Sequence, residues 1–233
     1  MMSTFQSEKI INKLKDNYMK LIKSLFLLLT LCLSPVTLMA EEFKEGVEYT
    51  TFSKPFPVNT GEKIEVREIF WYGCPHCYNL EAPLNKWRQE GLPDNSEFIR
   101  MPGIFRENWV PHARAYYAFE ALGQTEKLHH AMMNEMHVKK NRLTTKDQIA
   151  DFIATQGVDK KEFLDAYNSF SVDSLSRQAG IMTKRYGITG VPTIIVDGRY
   201  LVSTSHGGKV KLFEVVNNLV EKAAVLRKQE EAK

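Results

Sequence analysis

The chain has 233 residues, 43% of them hydrophobic and 25% charged, a composition typical of a globular protein with one or two domains. Residues 1–40 hold five of the 31 basic residues and two of the 28 acidic residues, which accounts for the formal net charge of +3. The rest of the chain carries 26 residues of each sign. This balance lacks the basic excess of nucleic-acid-binding proteins, so we expect no nucleic-acid partner.

The start of the chain has the pattern of a secretory signal. Lys20 and Lys23 precede an apolar run at residues 25–33, and the segment after the run ends in Leu38-Met39-Ala40. The run is too short to cross a bilayer as a helix, which disfavours the alternative of a membrane anchor. We therefore predict a signal peptide at residues 1–40 that is cleaved after Ala40. Because residues 1–18 are polar, Met19 is a possible true start.

The pattern of residues 49–101 predicts three strands and one helix. Strands are expected at residues 49–52, 64–71 and 96–101, and a helix from Cys74 to a stop at residues 91–93. Residues 64–71 carry apolar side chains on both faces near their end, which favours a central strand. Glu68 is the exception, because it places a carboxylate on the apolar face, pointing towards Cys77.

Two of the three cysteines form a Cys-Pro-His-Cys motif at the start of this helix. Cys32 lies in the predicted signal, so the mature chain keeps only Cys74 and Cys77. A disulfide-stabilised scaffold needs more cysteines at wider spacing, so the pair indicates redox chemistry. Pro75 suits the first helical position. Cys74 is expected to be exposed at the helix N-terminus, where backbone N–H groups favour a thiolate, while Cys77 lies on the core-facing stripe.

The remainder of the chain is predicted to be helical and then to return to strands. Helices are expected at residues 111–122, 125–138, 144–157, 159–167 and 172–186, strands at 193–196 and 199–202, and a last helix at 209–227. This order predicts an α/β protein in which a helical block interrupts a strand-containing domain.

The two motifs together resemble the DsbA family of periplasmic thiol:disulfide oxidoreductases. Cys-Pro-His-Cys follows an aromatic strand, and Gly-Val-Pro-Thr begins at Gly190, about 115 residues later. The resemblance covers nearly all of residues 43–228. It implies a thioredoxin-like fold made of residues 41–105 and 179–233, with an inserted all-helical domain at residues 106–178.

The resemblance also implies roles for individual residues. Val191 is expected to pair through its backbone with an extended substrate, and Pro192 to be cis and to face the active disulfide. Glu68 matches a buried acid that handles the proton of Cys77; from the residues alone, a salt bridge to a neighbouring Lys or Arg is an equal alternative. Between the cysteines, His76 is placed to stabilise the Cys74 thiolate, and the Pro-His dipeptide that it forms with Pro75 is that of strongly oxidising members.

The expected function is that of a dithiol oxidase that donates the Cys74–Cys77 disulfide to reduced exported proteins through a mixed disulfide. The resemblance implies a periplasmic location and a quinone-linked membrane partner of the DsbB type that reoxidises the enzyme. We expect a monomer, with no metal and no cofactor beyond the redox-active disulfide.

Three alternatives stay open at this point. A disulfide isomerase or reductase belongs to the same class of enzyme. A zinc-binding protein is disfavoured because only one cysteine pair is present, and His129, His130 and His137 are interpreted as surface or satisfied histidines. A scaffold with an incidental disulfide is disfavoured because a helix-terminal cysteine is reactive. Aromatic residues near the motif line either a substrate groove or the core; they are Trp71, Tyr72 and Tyr78.

Overall fold

The computed structural model describes residues 18–19, 43–203 and 208–232, and all of these except residues 18–19 belong to one compact unit, residues 43–233. The predicted signal peptide and its cleavage after Ala40 lie outside the described residues, apart from residues 18–19. None of the helices in the described part of the chain is both long enough and apolar enough to cross a membrane.

A five-stranded mixed sheet forms the centre of this unit. Its strands are β1 (Thr50–Thr51), β2 (Ile64–Phe70), β3 (Ser96–Pro102), β4 (Thr193–Val196) and β5 (Tyr200–Ser203). Their order in the sheet is β1-β5-β4-β2-β3, with β2 parallel to β3 and every other pair antiparallel. All seven residues of β2 are buried, which confirms the predicted central strand and explains why its sequence is apolar on both faces near its end.

Seven α-helices in the described residues surround or extend from the sheet. They are α1 (Pro75–Glu90), α2 (Val110–Ala121), α3 (Thr125–His137), α4 (Lys146–Thr155), α5 (Lys160–Asn168), α6 (Phe170–Arg185) and α7 (Gly208–Glu231). The five helices predicted between β3 and β4 are all present. Helix α6 begins two residues earlier than predicted because Ser169 caps it by accepting from the backbone N–H of Val172.

Two core clusters meet along β2 and α1. Ile64 and Val66, at the start of β2, pack with α7, whereas Ile69 and Phe70, at its end, pack with helices that follow β3. The end of β2 therefore leads the chain out of the sheet beneath α2 and α3. The residues that follow β2 therefore lie at the junction between the sheet and the helical block. The predicted domain limits, at residues 105/106 and 178/179, stay a prediction.

Candidate active site

The turn between β2 and α1 places Cys74 at the N-cap of α1. Its backbone is extended, with φ −90° and ψ 116°, and Pro75 occupies the first helical turn. The backbone N–H of Cys74 donates to the carbonyl oxygen of Trp71 at 3.0 Å, which closes the turn. Proline fits here because the first N–H groups of a helix have no partner within the helix.

Cys74 is covered, and the prediction of an exposed thiol was wrong. Its residue surface is only 8% exposed. The thiol donates a hydrogen bond to the carbonyl oxygen of Val191, with an Sγ···O distance of 3.3 Å. The Val191–Pro192 peptide bond is cis, as predicted. The loop before β4 therefore lies against the sulfur, a long-range contact across 117 residues that the helix pattern alone does not reveal.

The surroundings of Cys74 favour its thiolate. The pKa of Cys74 is lowered to about 6, chiefly because the Cys77 thiol donates a hydrogen bond to it, while burial opposes this effect. The backbone N–H groups of Cys77 and His76 and the charge of His76 lower the pKa further. His76 is exposed on the first turn of α1. These contributions support the predicted stabilising role of His76.

Cys77 has the opposite character. It is fully buried together with Leu80 and Leu84, which confirms the predicted core-facing stripe of α1. Burial raises the pKa of Cys77 well above its usual value, and the neighbouring Cys74 and Glu68 raise it further. At neutral pH the pair thus combines a stabilised thiolate at Cys74 with a neutral thiol at Cys77. The two cysteines are not joined by a disulfide in this structure.

Glu68 lies near Cys77 and forms a salt bridge with Arg100, which confirms the salt-bridge alternative; its handling of the Cys77 proton stays a prediction. Its Oε2 accepts from Arg100 Nε at 3.0 Å, and its Oε1 has no hydrogen-bond partner among the described residues. Burial raises the pKa of Glu68 to about 7; Arg100 opposes this increase and the carboxylate of Glu81 adds to it. A carboxyl with a pKa near neutrality is suited to exchange a proton.

Arg100 and its other partners were not identified from the sequence. Arg100 lies opposite Glu68 in the parallel pairing of β2 with β3, and its Nη2 is 3.4 Å from both carboxylate oxygens of Glu81. Glu81 in turn accepts from His129. An arginine inside an apolar strand is unusual, and this signal, set beside the buried Glu68, could have indicated the pair.

The described residues contain no cluster of three or more His, Cys, Asp or Glu side chains that could hold a metal ion. His129 is buried and hydrogen-bonded on both sides, His137 donates to a backbone carbonyl, and the exposed His130 contacts Asn134. Each of these three histidines therefore has a hydrogen-bond partner within the protein.

Comparison with known proteins identifies the family. A family model described as "DSBA-like thioredoxin domain" matches residues 97–214. A protein of Burkholderia cepacia named "Thiol:disulfide interchange protein DsbA" is 41% identical over 193 residues, which cover 82% of this chain and 90% of that relative. The chain belongs to the DsbA family. A Pseudomonas aeruginosa relative of the same name is 37% identical, over 82% of this chain and 90% of its own length.

Solved structures of DsbA proteins agree with this assignment. The crystal structure of Pseudomonas aeruginosa DsbA is similar with a TM-score of 0.76 and 36% identity, and the match covers 81% of this chain and 98% of that one. DsbA from Xylella fastidiosa gives a TM-score of 0.71 and 30% identity, covering 78% and 98% of the two chains. The predicted thioredoxin-like fold is confirmed, and this DsbA-family chain is a thiol:disulfide oxidoreductase.

Proposed function

We propose that this enzyme works as a dithiol oxidase, in which Cys74 is the attacked sulfur. The observation that carries the proposal is the asymmetry of the pair: the pKa of Cys74 is lowered to about 6, whereas that of Cys77 is raised well above its usual value. A stabilised thiolate favours the reduced form of the enzyme, so its disulfide is readily passed on to other thiols.

The transfer takes two exchange steps. A client thiolate attacks Cys74 Sγ, the Cys74–Cys77 bond breaks, and Cys77 leaves as a thiolate that accepts a proton from Glu68. A second client thiolate then attacks the client sulfur of the mixed disulfide, and Cys74 leaves as a thiolate. The client loses two electrons and gains a disulfide, while the enzyme becomes a dithiol. The two client thiols give up two protons. One replaces the proton that Glu68 passed to Cys77, and the other is released to solvent.

The loop at Val191 and Pro192 is proposed to hold the client. The carbonyl oxygen of Val191 lies 3.3 Å from Cys74 Sγ, so an extended client that pairs with this backbone places its own sulfur beside Cys74. Backbone pairing of this kind is largely independent of the client's side chains. It suits an enzyme that acts on many reduced proteins.

The test is stoichiometric transfer. Oxidised enzyme mixed with an equal amount of a reduced peptide that carries two cysteines is expected to yield oxidised peptide and reduced enzyme, with a mixed disulfide in between. Alkylation of the quenched mixture followed by mass spectrometry follows all three species. If the peptide stays reduced and the enzyme disulfide persists, the oxidase assignment fails.

The remaining proposals concern the cellular setting. We infer a periplasmic location, a monomeric enzyme, and reoxidation by a quinone-linked membrane protein of the DsbB type, supported by membership of the DsbA family. Export is expected to be accompanied by cleavage after Ala40. Mass spectrometry of protein recovered from an exporting cell is expected to show a chain that begins at Glu41; a chain that still contains residues 25–33 contradicts this processing.

A further inference from the structure

The two residues that precede Gly73 and Cys74 are each held by histidines from the helices α2 and α3. Trp71 is bound through its indole N–H, and Tyr72 is bound through both its hydroxyl and its backbone carbonyl. The three donor–acceptor distances lie between 2.7 and 3.0 Å. Three histidines thus contact one dipeptide, and none of these contacts is needed for the exchange steps described above.

His112 fixes the ring of Trp71. An indole nitrogen can only donate, so its bond to His112 Nδ1 at 2.9 Å makes Nδ1 the acceptor. Nε2 then carries the proton and donates to the carbonyl oxygen of Leu143 at 3.0 Å. The held ring lies against Gly73, where an added Cβ would be only 2.4 Å from it. The position of the indole therefore limits where the backbone before Cys74 can lie.

His129 and His137 fix Tyr72 at its two ends. His129 is buried and lies between Tyr72 Oη, 3.0 Å from Nδ1, and Glu81 Oε1, 3.1 Å from Nε2. His137 donates from Nε2 to the backbone carbonyl oxygen of Tyr72 at 2.7 Å and stacks on the ring of Tyr78. The tyrosine is thereby held at its hydroxyl and at its peptide group.

We propose that His112, His129 and His137 are positioning residues that hold the Trp71–Cys74 turn so that the Cys74 sulfur stays aligned with its thiolate-stabilising donors. Those donors are the backbone N–H groups of His76 and Cys77 and the thiol of Cys77, all on α1. The titratable groups that act on Cys74 are Cys77 and His76, and the loop before β4 contributes the Val191 carbonyl. A turn that is free to shift carries the sulfur away from directional donors and weakens them.

The proposal deepens the proposed function, since its meaning for catalysis rests on Cys74 being the attacked sulfur. Its readout does not depend on turnover. The pKa of Cys74 is measured from the pH dependence of alkylation of the reduced enzyme at limiting reagent, or from thiolate absorbance. A residue that only contributes to global stability does not shift this value in protein that is folded.

The primary variant is His137→Leu, because His137 is half-buried and its loss leaves the core intact. We expect the pKa of Cys74 to rise by roughly half a unit or more, which is about a threefold weakening of the thiolate relative to the thiol. His137→Gln keeps an N–H donor near the Tyr72 carbonyl and is expected to restore most of the wild-type value. His130→Leu, on the exposed face of the same helix, is the matched control and is expected to leave the pKa unchanged.

A second variant, Tyr72→Phe, tests the same proposal at the hydrogen bond between Tyr72 and His129. It removes only the hydroxyl that contacts His129 and keeps the buried ring, and it is also expected to raise the pKa of Cys74. Circular dichroism and a thermal melt establish that each variant is folded. If folded His137→Leu and Tyr72→Phe both titrate like the wild type, the proposal is overturned, whatever the enzyme's activity. If the pKa rises but disulfide transfer is absent even in the wild type, positioning stands and the oxidase function fails.

Discussion

Replacing Cys74 by serine is expected to abolish disulfide transfer, whereas replacing Cys77 by alanine is expected to leave Cys74 joined to clients. The first change removes the sulfur whose pKa is lowered to about 6. An ordinary cysteine, with a pKa of about 8.5, is only about 3% ionised at pH 7, compared with about 90% for a pKa of 6. Cys77 cannot replace it, because it is buried and its pKa is raised.

The second change has a different consequence because Cys77 is the internal thiol that can release a bound client. Without Cys77 the enzyme has no disulfide of its own, so a client becomes attached when the Cys74 thiolate attacks a disulfide already present in that client: the Cys74–client bond forms, the client bond breaks, and one client sulfur leaves as a thiolate. That client thiol is then the only group that can release Cys74, so mixed disulfides are expected to accumulate. Non-reducing gels of exported protein, after acid quenching and alkylation, measure both outcomes. If Cys74→Ser trapped clients and Cys77→Ala did not, the roles of the two sulfurs would be reversed.

Glu68→Gln is expected to remove a large pH dependence from the stability of the protein. A glutamate carboxyl has a pKa of about 4.3 in an unfolded chain, and folding raises that of Glu68 to about 7. Because the folded pKa is the higher one, the contribution of Glu68 to stability is full below pH 4 and is lost as the pH rises through 7. The loss amounts to roughly 4 kcal/mol at most, since the pKa rises by about 2.7 units and each unit corresponds to about 1.4 kcal/mol.

Urea unfolding of the wild type and of Glu68→Gln, both reduced, measures this effect between pH 4 and 8. The free energy of unfolding of the wild type is expected to fall relative to the variant as the pH rises. Glu65→Gln is a matched control, since it also removes a buried carboxylate of β2 that pairs with an arginine, Arg67. That pair involves neither Cys77 nor Arg100. If the free energies of unfolding of the wild type and of Glu68→Gln change in parallel with pH, Glu68 stays ionised and does not supply protons.

The same variant separates the two readings of Glu68. If the carboxyl handles the proton of Cys77, alkylation of Cys77 in a Cys74→Ala background is expected to lose its inflection near pH 7 in Glu68→Gln. If Glu68 only balances the charge of Arg100, the pH profile of Cys77 is expected to keep its shape. Burial raises the pKa of Glu68 to about 7, which favours the first result because a carboxyl that titrates near neutrality can exchange a proton with Cys77.

Local patterns were sufficient to predict the strand–turn–helix unit that carries the two cysteines. The central character of β2 follows from apolar residues on both faces, and the burial of Cys77 follows from its spacing to Leu80 and Leu84. Two helices of the helical block were also predictable from their caps, Thr145, whose capping box with Gln148 is present, and Asp159, which accepts from the backbone N–H of Glu162.

The surroundings of the site could not be predicted in the same way because they depend on contacts between distant segments. Arg100 reaches Glu68 through the register of two parallel strands, which a sequence period does not specify. His112 and His137 reach Trp71 and Tyr72 only after α2 and α3 fold over the end of β2. The sequence pattern predicted the helices that carry these histidines, but it did not indicate which residue each histidine contacts.

We propose that the Cys74–Cys77 disulfide is oxidising because folding stabilises the Cys74 thiolate. Equilibrating the enzyme with mixtures of reduced and oxidised glutathione at pH 7 measures this directly, with alkylation and mass spectrometry to count the two forms. Lowering a thiol pKa from about 8.5 to about 6 favours the dithiol about tenfold at pH 7, or about 30 mV for a two-electron couple. We expect a reduction potential less negative than about −220 mV, so that glutathione reduces the enzyme; a potential below about −300 mV, the range of structural disulfides, would show that the thiolate is not stabilised in this way.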